Sequence, residues 1–380
     1  MRCPTWVTAS EIDDWAGTTP ARALLPELIC RLVYATVDRT NLRVINFPAH
    51  EEAQRPGYDG TTLTDIERTH VPKGLCYWEL SCEADPARKA QRDYETRVQA
   101  AKEEDLSQVA YFAVTARDWN GAAQWAQART AEAKFKDVRA YDSSNLAQWL
   151  LDAPAVGLWL AEQIGKRIQG VTDVAAYWRN MQGTLRKELP PEILLTNRQG
   201  TAKRLAEWAS GNPGPLAVRA TSPREVVDVF AAWVHTLPTA EADAVASRAI
   251  IVEDPEAWKA LATSKESLIL VAGPRLETTP ELLAEAKRHG HHLLRFAAFA
   301  EPRDPSIVEM ERMRLHDLKE ALQKTGIEER EAAQLAEGAG GNFTVLRRLF
   351  AGDLAFARPP WAEGVEAQHL GTLSFKTREI

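Results

Sequence analysis

A chain of 380 residues is longer than one compact core usually covers, so two or more domains are expected. With 45% hydrophobic, 26% charged and 8% aromatic residues, and 21 Gly and 21 Pro, it is neither fibrous nor wholly disordered. A formal charge of −7, from 46 basic and 53 acidic residues, excludes a general electrostatic glove for nucleic acid, but leaves room for a nuclease with a local carboxylate site.

Residues 1–20 carry Thr, Ser, Asp and Pro without a clear period and are predicted to be irregular. The opening string MRCPTWVTASEIDDW has no basic flank leading into an apolar run, and stretches such as Ala249–Val252 are strand-sized, so a cytoplasmic protein with no membrane span is expected. Cys3, Cys30, Cys76 and Cys82 are too sparse for a disulfide scaffold and show no CxxC spacing, so free thiols rather than zinc ligands are expected. Leu24, Leu25, Leu28, Ile29, Leu32 and Val33 repeat at helical spacing and predict a helix over 22–36. A strand over 42–47 follows. In the run from Arg55 to Gly60, Pro56, Gly57, Asp59 and Gly60 then demand turns, which puts Asp59 where the chain bends. Residues 74–82 predict a strand, and Asp85 before Pro86 caps a helix over 86–102. Strands over 109–115 and 138–141 alternate with helices over 121–135 and 145–165. Such alternation predicts a three-layer α/β domain ending near residue 168.

A second α/β block is expected after the Leu189-Pro190-Pro191 break, within a domain spanning 169–303. Its strands are predicted at 215–220, 249–252, 268–272 and 292–296, and its helices at 200–210, 223–236 and 255–263. A helical appendage over 304–358 follows, with helices at 307–325, 328–339 and 342–350, and then an irregular tail over 359–380. Trp119, Trp125, Trp149, Trp159 and Trp178 are read as core packing rather than base-stacking platforms. His289, His291 and His292 lack further ligands at metal spacing and are placed in a surface loop.

The chemistry concentrates in the first domain. Asp59 on its turn, Glu79 in mid-strand and Lys89 on the next helix supply two carboxylates and an ammonium within one βα unit. An ionised carboxylate in a buried strand needs a partner or a metal. Two carboxylates suit Mg²⁺ or Mn²⁺, which activates water and stabilises a leaving oxygen, while a lysine orients the attacking water. On the helical wheel Ala87, Ala90, Tyr94 and Val98 form the core stripe. Lys89, Asp93 and Arg97 run along its edge, either as a surface ion-pair ladder or as a line facing the cleft at Glu79.

The strings Pro56-Gly57-Tyr58-Asp59-Gly60, Trp78-Glu79-Leu80-Ser81-Cys82, Lys89-Ala90 with Asp93-Tyr94, and Phe112-Ala113-Val114-Thr115 with Trp119 and Trp125 resemble the PD-(D/E)xK restriction-endonuclease-like superfamily, closest to Mrr-like domains of bacterial antiphage ATPases, over about residues 22–165. The resemblance implies a metal-dependent nuclease acting on DNA, with catalytic Asp59, Glu79 and Lys89 and metal ligands Asp59 and Glu79. Glu27 is implied as an accessory acid, although it is equally an i,i+4 partner of Arg31. Arg92 and Arg97 are expected on the DNA. The family pattern puts a lysine two residues after the glutamate, where Ser81 stands, so the ammonium must come from Lys89.

The second block resembles a degenerate STAND or AAA-like P-loop module over about 195–350, on Arg198, Ile250-Ile251-Val252-Glu253-Asp254, Leu268-Ile269-Leu270-Val271-Ala272 and Gly340-Gly341-Asn342-Phe343. No GK[ST] occurs in the chain; Arg219-Ala220-Thr221-Ser222-Pro223-Arg224-Glu225 fills the phosphate-loop place, with Ser222 and Glu225 as a capping box. Nucleotide-binding residues and ATP turnover are therefore not expected, although the helix start at 221–224 is able to take an anion. A homo-oligomer or a partner protein is expected through this module. Related effectors carry a C-terminal sensor array, which makes this chain a shortened form by expectation. The alternative is a non-catalytic nucleic-acid- or protein-binding scaffold in which both halves have lost their chemistry.

Overall fold

The computed structural model describes residues 4–48, 57–101 and 105–351. It is a mixed α/β structure with two mixed sheets, roughly half of it helix. Cys3, Arg55, Pro56 and the predicted tail lie outside the described residues.

The first sheet is built by β1 (Leu42–Asn46), β2 (Gly60–Thr64), β3 (Gly74–Ser81), β4 (Ala110–Thr115) and β5 (Asp137–Tyr141), in that spatial order. The β1–β2 and β2–β3 pairs are antiparallel, while β3, β4 and β5 run parallel. Its helices are α1 (Ala9–Ala16), α2 (Thr19–Thr36), α3 (Pro86–Ala100), α4 (Ala122–Ala131), α5 (Ser143–Asp152) and α6 (Pro154–Gln163). Alternation along each strand sorts the residues between two faces. Cys76 and Trp78 of β3, with Phe112 and Val114 of β4, meet α1, α2, α5 and α6. Leu75 and Tyr77, with Tyr111 and Ala113, meet α3 and α4 instead. On α2, Leu28, Ile29, Leu32 and Val33 are fully buried, each contributing about 1.5–3 kcal/mol of transfer free energy.

The second sheet runs in the order β11-β7-β10-β9-β8-β6 and is parallel except for β6. Its strands are β6 (Val171–Thr172), β7 (Pro215–Arg219), β8 (Ala249–Val252), β9 (Ile269–Ala272), β10 (His292–Ala297) and β11 (Val308–Glu309). Between them stand α7 (Val174–Gln182), α8 (Pro191–Leu194), α9 (Gln199–Ser210), α10 (Pro223–Thr236), α11 (Thr239–Ala246), α12 (Pro255–Leu261) and α13 (Pro280–Arg288). One face packs on α9 and α10, the other on α12 and α13. Then α14 (Leu315–Lys324), α15 (Glu329–Ala339) and α16 (Phe343–Leu349) form a helical group closed over α8. No helix among the described residues is long and apolar enough to cross a membrane.

Several expectations are corrected. Residues 1–20 are not irregular throughout, because the Thr8 and Glu11 side chains close a capping box that starts α1. Residues 60–64, read only as turn and polar chain, form β2. The helix expected over 145–165 is two helices, divided at Ala153 by Pro154, which has no amide hydrogen to continue α5. The helix expected from 307 begins at Leu315, because Val308 and Glu309 add a strand to the edge of β7. His291 and His292 are buried, not on the surface: the His291 ring bonds the Leu268 amide and lies 3.0 Å from the Ala262 carbonyl oxygen. Trp119, Trp149 and Trp159 are buried in the first unit, and Trp125 and Trp178 pack against core clusters.

Candidate functional site

The β2–β3 register pairs Gly60 with Trp78, so Asp59, one residue before β2, comes opposite Glu79. A Cβ at Gly60 would overlap the Phe47 ring, which would have to shift. The Leu80 amide donates to Asp59 Oδ2 at 2.7 Å, which ties the turn carboxylate to the strand carrying Glu79. Glu79 shares the parity of Leu75 and Tyr77 and therefore lies on the α3 side of the sheet. The two acids meet on one face of the sheet, with the Asp59 carboxyl within hydrogen-bonding reach of the Glu79 carboxyl.

Helix α3 brings the cations. Asp85 accepts from the Arg88 amide at its start, and Ala90 and Tyr94 are buried under it, whereas Ala87 of the expected stripe is exposed. The neighbouring edge of the helix carries Lys89, Asp93 and Arg97 one turn apart. Lys89 Nζ is 2.5 Å from Asp93 Oδ2, and the Lys89 charge also acts on Asp59. Arg97 donates through Nε to Glu79 Oε1 and through Nη2 to the Gly57 carbonyl, and its guanidinium lies 4.7 Å from the centre of the Tyr58 ring. Both readings of this line hold in part: Lys89 and Asp93 form an i,i+4 ion pair, and the pair lines the cavity at Glu79 while Arg97 reaches Glu79 itself.

Burial sets the electrostatics. Glu79 is 6% exposed, and loss of water pushes its carboxyl up to about 7, against the hydrogen bond from Arg97 and with the repulsion of Asp59 and Asp93. Burial also raises Asp59, outweighing the Leu80 amide and the Lys89 charge. For both carboxyls burial outweighs the cations beside them, Arg97 at Glu79 and Lys89 near Asp59. Beside them a cavity of about 10 Å³, lined by Glu79, Ser81, Lys89, Asp93, Thr115 and Trp119, has room for about one water. The Tyr111 hydroxyl is buried with no hydrogen-bond partner, within the field of Glu79, Asp93 and Arg97. Ser81 accepts from the Glu83 amide at 3.0 Å and helps turn the chain into α3.

The predicted site residues divide accordingly. Asp59, Glu79 and Lys89 come together. Glu27 does not join them: its carboxylate is 2.8 Å from Arg31, on the part of α2 where Arg31 also approaches Asp243 of α11 at 3.8 Å. Glu27 thus takes the i,i+4 role, and among the described residues it forms no three-membered acidic group with Asp59 and Glu79. Arg92 stays exposed, paired with Glu83 at 3.0 Å. Arg97 departs from the expected DNA contact, because its fork is turned inward onto Glu79 and Gly57. Asp93 belongs to the cluster, and its i,i+4 spacing from Lys89 is the signal for it.

Two hard oxygen donors suit Mg²⁺ or Mn²⁺, which keep several waters and take one or two protein carboxylates. Glu79 uses Oε1 for Arg97 and Asp59 uses Oδ2 for Leu80, and the two carboxyls lie within hydrogen-bonding reach of each other. Among the described residues no group of three or more His, Cys, Asp or Glu gathers into a metal cage, so any cation here rests on these two acids and on water or phosphate.

In the second unit the start of α10 is already filled. Ser222 accepts from the Glu225 amide, but the Glu225 carboxylate passes the Ser222 amide and takes the Thr221 amide, the Thr221 hydroxyl and Arg198. The capping box is thus half formed, drawn aside by Arg198. The anion seat expected at 221–224 holds an internal carboxylate. Glu253 accepts from the Arg275 amide at 2.8 Å, and Asp254 caps α12 through the Ala257 amide. Comparison with family descriptions, curated proteins and solved structures finds no match to this chain.

Proposed function

We propose that the cleft between β3 and α3 cleaves phosphodiester bonds of DNA with Mg²⁺ or Mn²⁺, as the PD-(D/E)xK resemblance implies. The observation that carries this reading is the meeting of Asp59 and Glu79 across the β2–β3 ladder, with Lys89 acting on Asp59. The strand order β1 to β5, antiparallel then parallel, agrees with it.

Asp59 and Glu79 would hold the cation through their carboxylate oxygens. When bound, it supplies Lewis acidity for a water and for the leaving oxygen. Lys89, fixed by Asp93, offsets the charge that develops on the attacked phosphate. Arg92, exposed at the rim, is available to the DNA backbone. The second unit, whose β11-β7-β10-β9-β8 order with α10 directly after β7 supports the P-loop-like reading, serves as a regulatory or oligomerisation module. The Glu225 carboxylate at the α10 start favours a role without nucleotide.

A scaffold that binds without cutting is the second reading, favoured by Arg97 on Glu79 and by Ser81 in the lysine position. Incubating plasmid and linear DNA with the full chain and Mg²⁺ or Mn²⁺ separates the two. The nuclease reading requires cleavage that Glu79→Gln and Lys89→Ala each lower by about 100-fold or more. Cleavage unchanged in Glu79→Gln overturns the assignment, and an inert wild type supports the scaffold.

A further inference from the structure

Arg97 touches two separate segments, β3 and the turn before β2. Its Nε bonds Glu79 on β3, its Nη2 bonds the Gly57 carbonyl two residues before Asp59, and its plane covers the Tyr58 ring. Tyr58 in turn stacks on Tyr77 of β3, with ring centres 4.0 Å apart at 16°. Residues 57–59 precede β2 and lie outside the ladder, and Gly57 has φ +138°, a conformation only glycine adopts readily. Asp59 is fixed relative to Glu79 by the Leu80 amide, by the Tyr58–Tyr77 stack and by the Arg97 fork, of which only Arg97 bonds both the turn and Glu79 itself.

We infer that Arg97 is a positioning residue that clamps the Asp59 turn onto Glu79 and so sets the spacing of the two carboxylates for a divalent cation. The inference rests on the proposed cation pair. It deepens that reading in one respect: a residue whose own charge repels a cation is required for the cation to bind. The guanidinium is suited to this because it stays protonated and its rigid fork meets two acceptors at once, which a lysine ammonium on a flexible stem does not. It bonds Oε1 of Glu79 only. A simple plug, by contrast, would need only the Glu79 contact.

The two roles predict opposite signs. If Arg97 only neutralises Glu79, its removal tightens cation binding; if it positions the turn, removal weakens it. The test is Mn²⁺ binding to the full chain, followed by electron paramagnetic resonance and calorimetry, for wild type, Arg97→Ala, Arg97→Lys and Glu79→Gln, with thermal unfolding as a check on folding. Positioning requires wild-type binding that Glu79→Gln abolishes, that Arg97→Ala weakens at least tenfold, and that Arg97→Lys recovers only in part. Arg97→Ala binding as tightly as wild type, or more tightly, overturns the clamp while leaving the cation pair intact. A wild type without bound Mn²⁺ removes the cation pair and the clamp together. Should Arg97→Ala fail to fold, Arg97→Gln and Arg97→Lys carry the same comparison.

Discussion

The Arg198 guanidinium donates to the Glu225 carboxylate where both side chains are only 2% exposed. Arg198 also donates to the Leu194 and Glu311 carbonyls, so one cation ties α8, α10 and the segment before α14 together. Arg198→Ala leaves Glu225 as an uncompensated buried charge, and a loss of about 3–5 kcal/mol in unfolding free energy is expected. Arg198→Met, which keeps the stem, should still lose most of it. Urea unfolding of the full chain checks this; a loss under about 1 kcal/mol for Arg198→Ala would mean that solvent or another cation reaches Glu225.

Glu79 makes the first unit lose stability as pH rises from the acidic range to neutrality. Its carboxyl titrates at about 7 in the folded chain, above the ordinary glutamate value of 4.5, so the folded state holds the proton more tightly than the unfolded one. The resulting stability is complete below pH 4.5 and is lost as pH rises through 7. At about 1.4 kcal/mol per unit, the loss is on the order of 3 kcal/mol. Glu79→Gln removes the titration. Between pH 5 and 8 the variant should gain on the wild type by roughly that amount in denaturant unfolding; parallel curves would place the titrating carboxyl elsewhere.

Much of the site is legible in the sequence for reasons of geometry. The alternation in GLCYWELSC commits Glu79 to the face opposite Trp78, the Pro-Gly-Tyr-Asp-Gly run puts Asp59 at a bend, and i,i+4 spacing aligns Lys89, Asp93 and Arg97. The partner chosen by Arg97 is not legible. Its side chain is long enough to reach either solvent or Glu79, and only the folded turn at Gly57 supplies the second acceptor. Glu225 eludes local reading for a similar reason, since the capping pattern is satisfied locally but the arginine that diverts it lies 27 residues away. β11 is two residues long and its Val308 follows Ile307 in an apolar spacing that also suits a helix; pairing with β7 decides it.

Ser81 and Lys89 both line the cavity at Glu79, one from the strand and one from the helix. An ammonium introduced at either place enters the same space. If the nuclease reading holds, Lys89→Ala should lose about 100-fold or more in cleavage rate, and the double variant Ser81→Lys with Lys89→Ala should recover at least tenfold of it. Single-turnover rates on a short duplex measure both. A double variant no faster than Lys89→Ala would show that the amine must sit on α3 beside Asp93.

His292 carries the opposite pH dependence in the second unit. It is 2% exposed in β10, its Nδ1 has no hydrogen-bond partner, and Trp208 meets it edge-on at 5.3 Å. Burial first, and the Arg248 charge second, push the ring down to about 4. The unfolded chain, near 6.5, binds the proton more readily. The neutral ring's stability is thus present above pH 6.5 and is lost as pH falls through 4. A loss on the order of 3 kcal/mol corresponds to that shift. His292→Leu keeps an apolar group against Trp208 and has no proton to take up. Whatever the difference in unfolding free energy between wild type and His292→Leu at pH 7, it should move in favour of the variant by roughly 2–3 kcal/mol at pH 4. Because buried carboxylates elsewhere titrate equally in both chains, the double difference isolates the ring, and a constant difference across this range would mean that His292 is solvated or paired in solution.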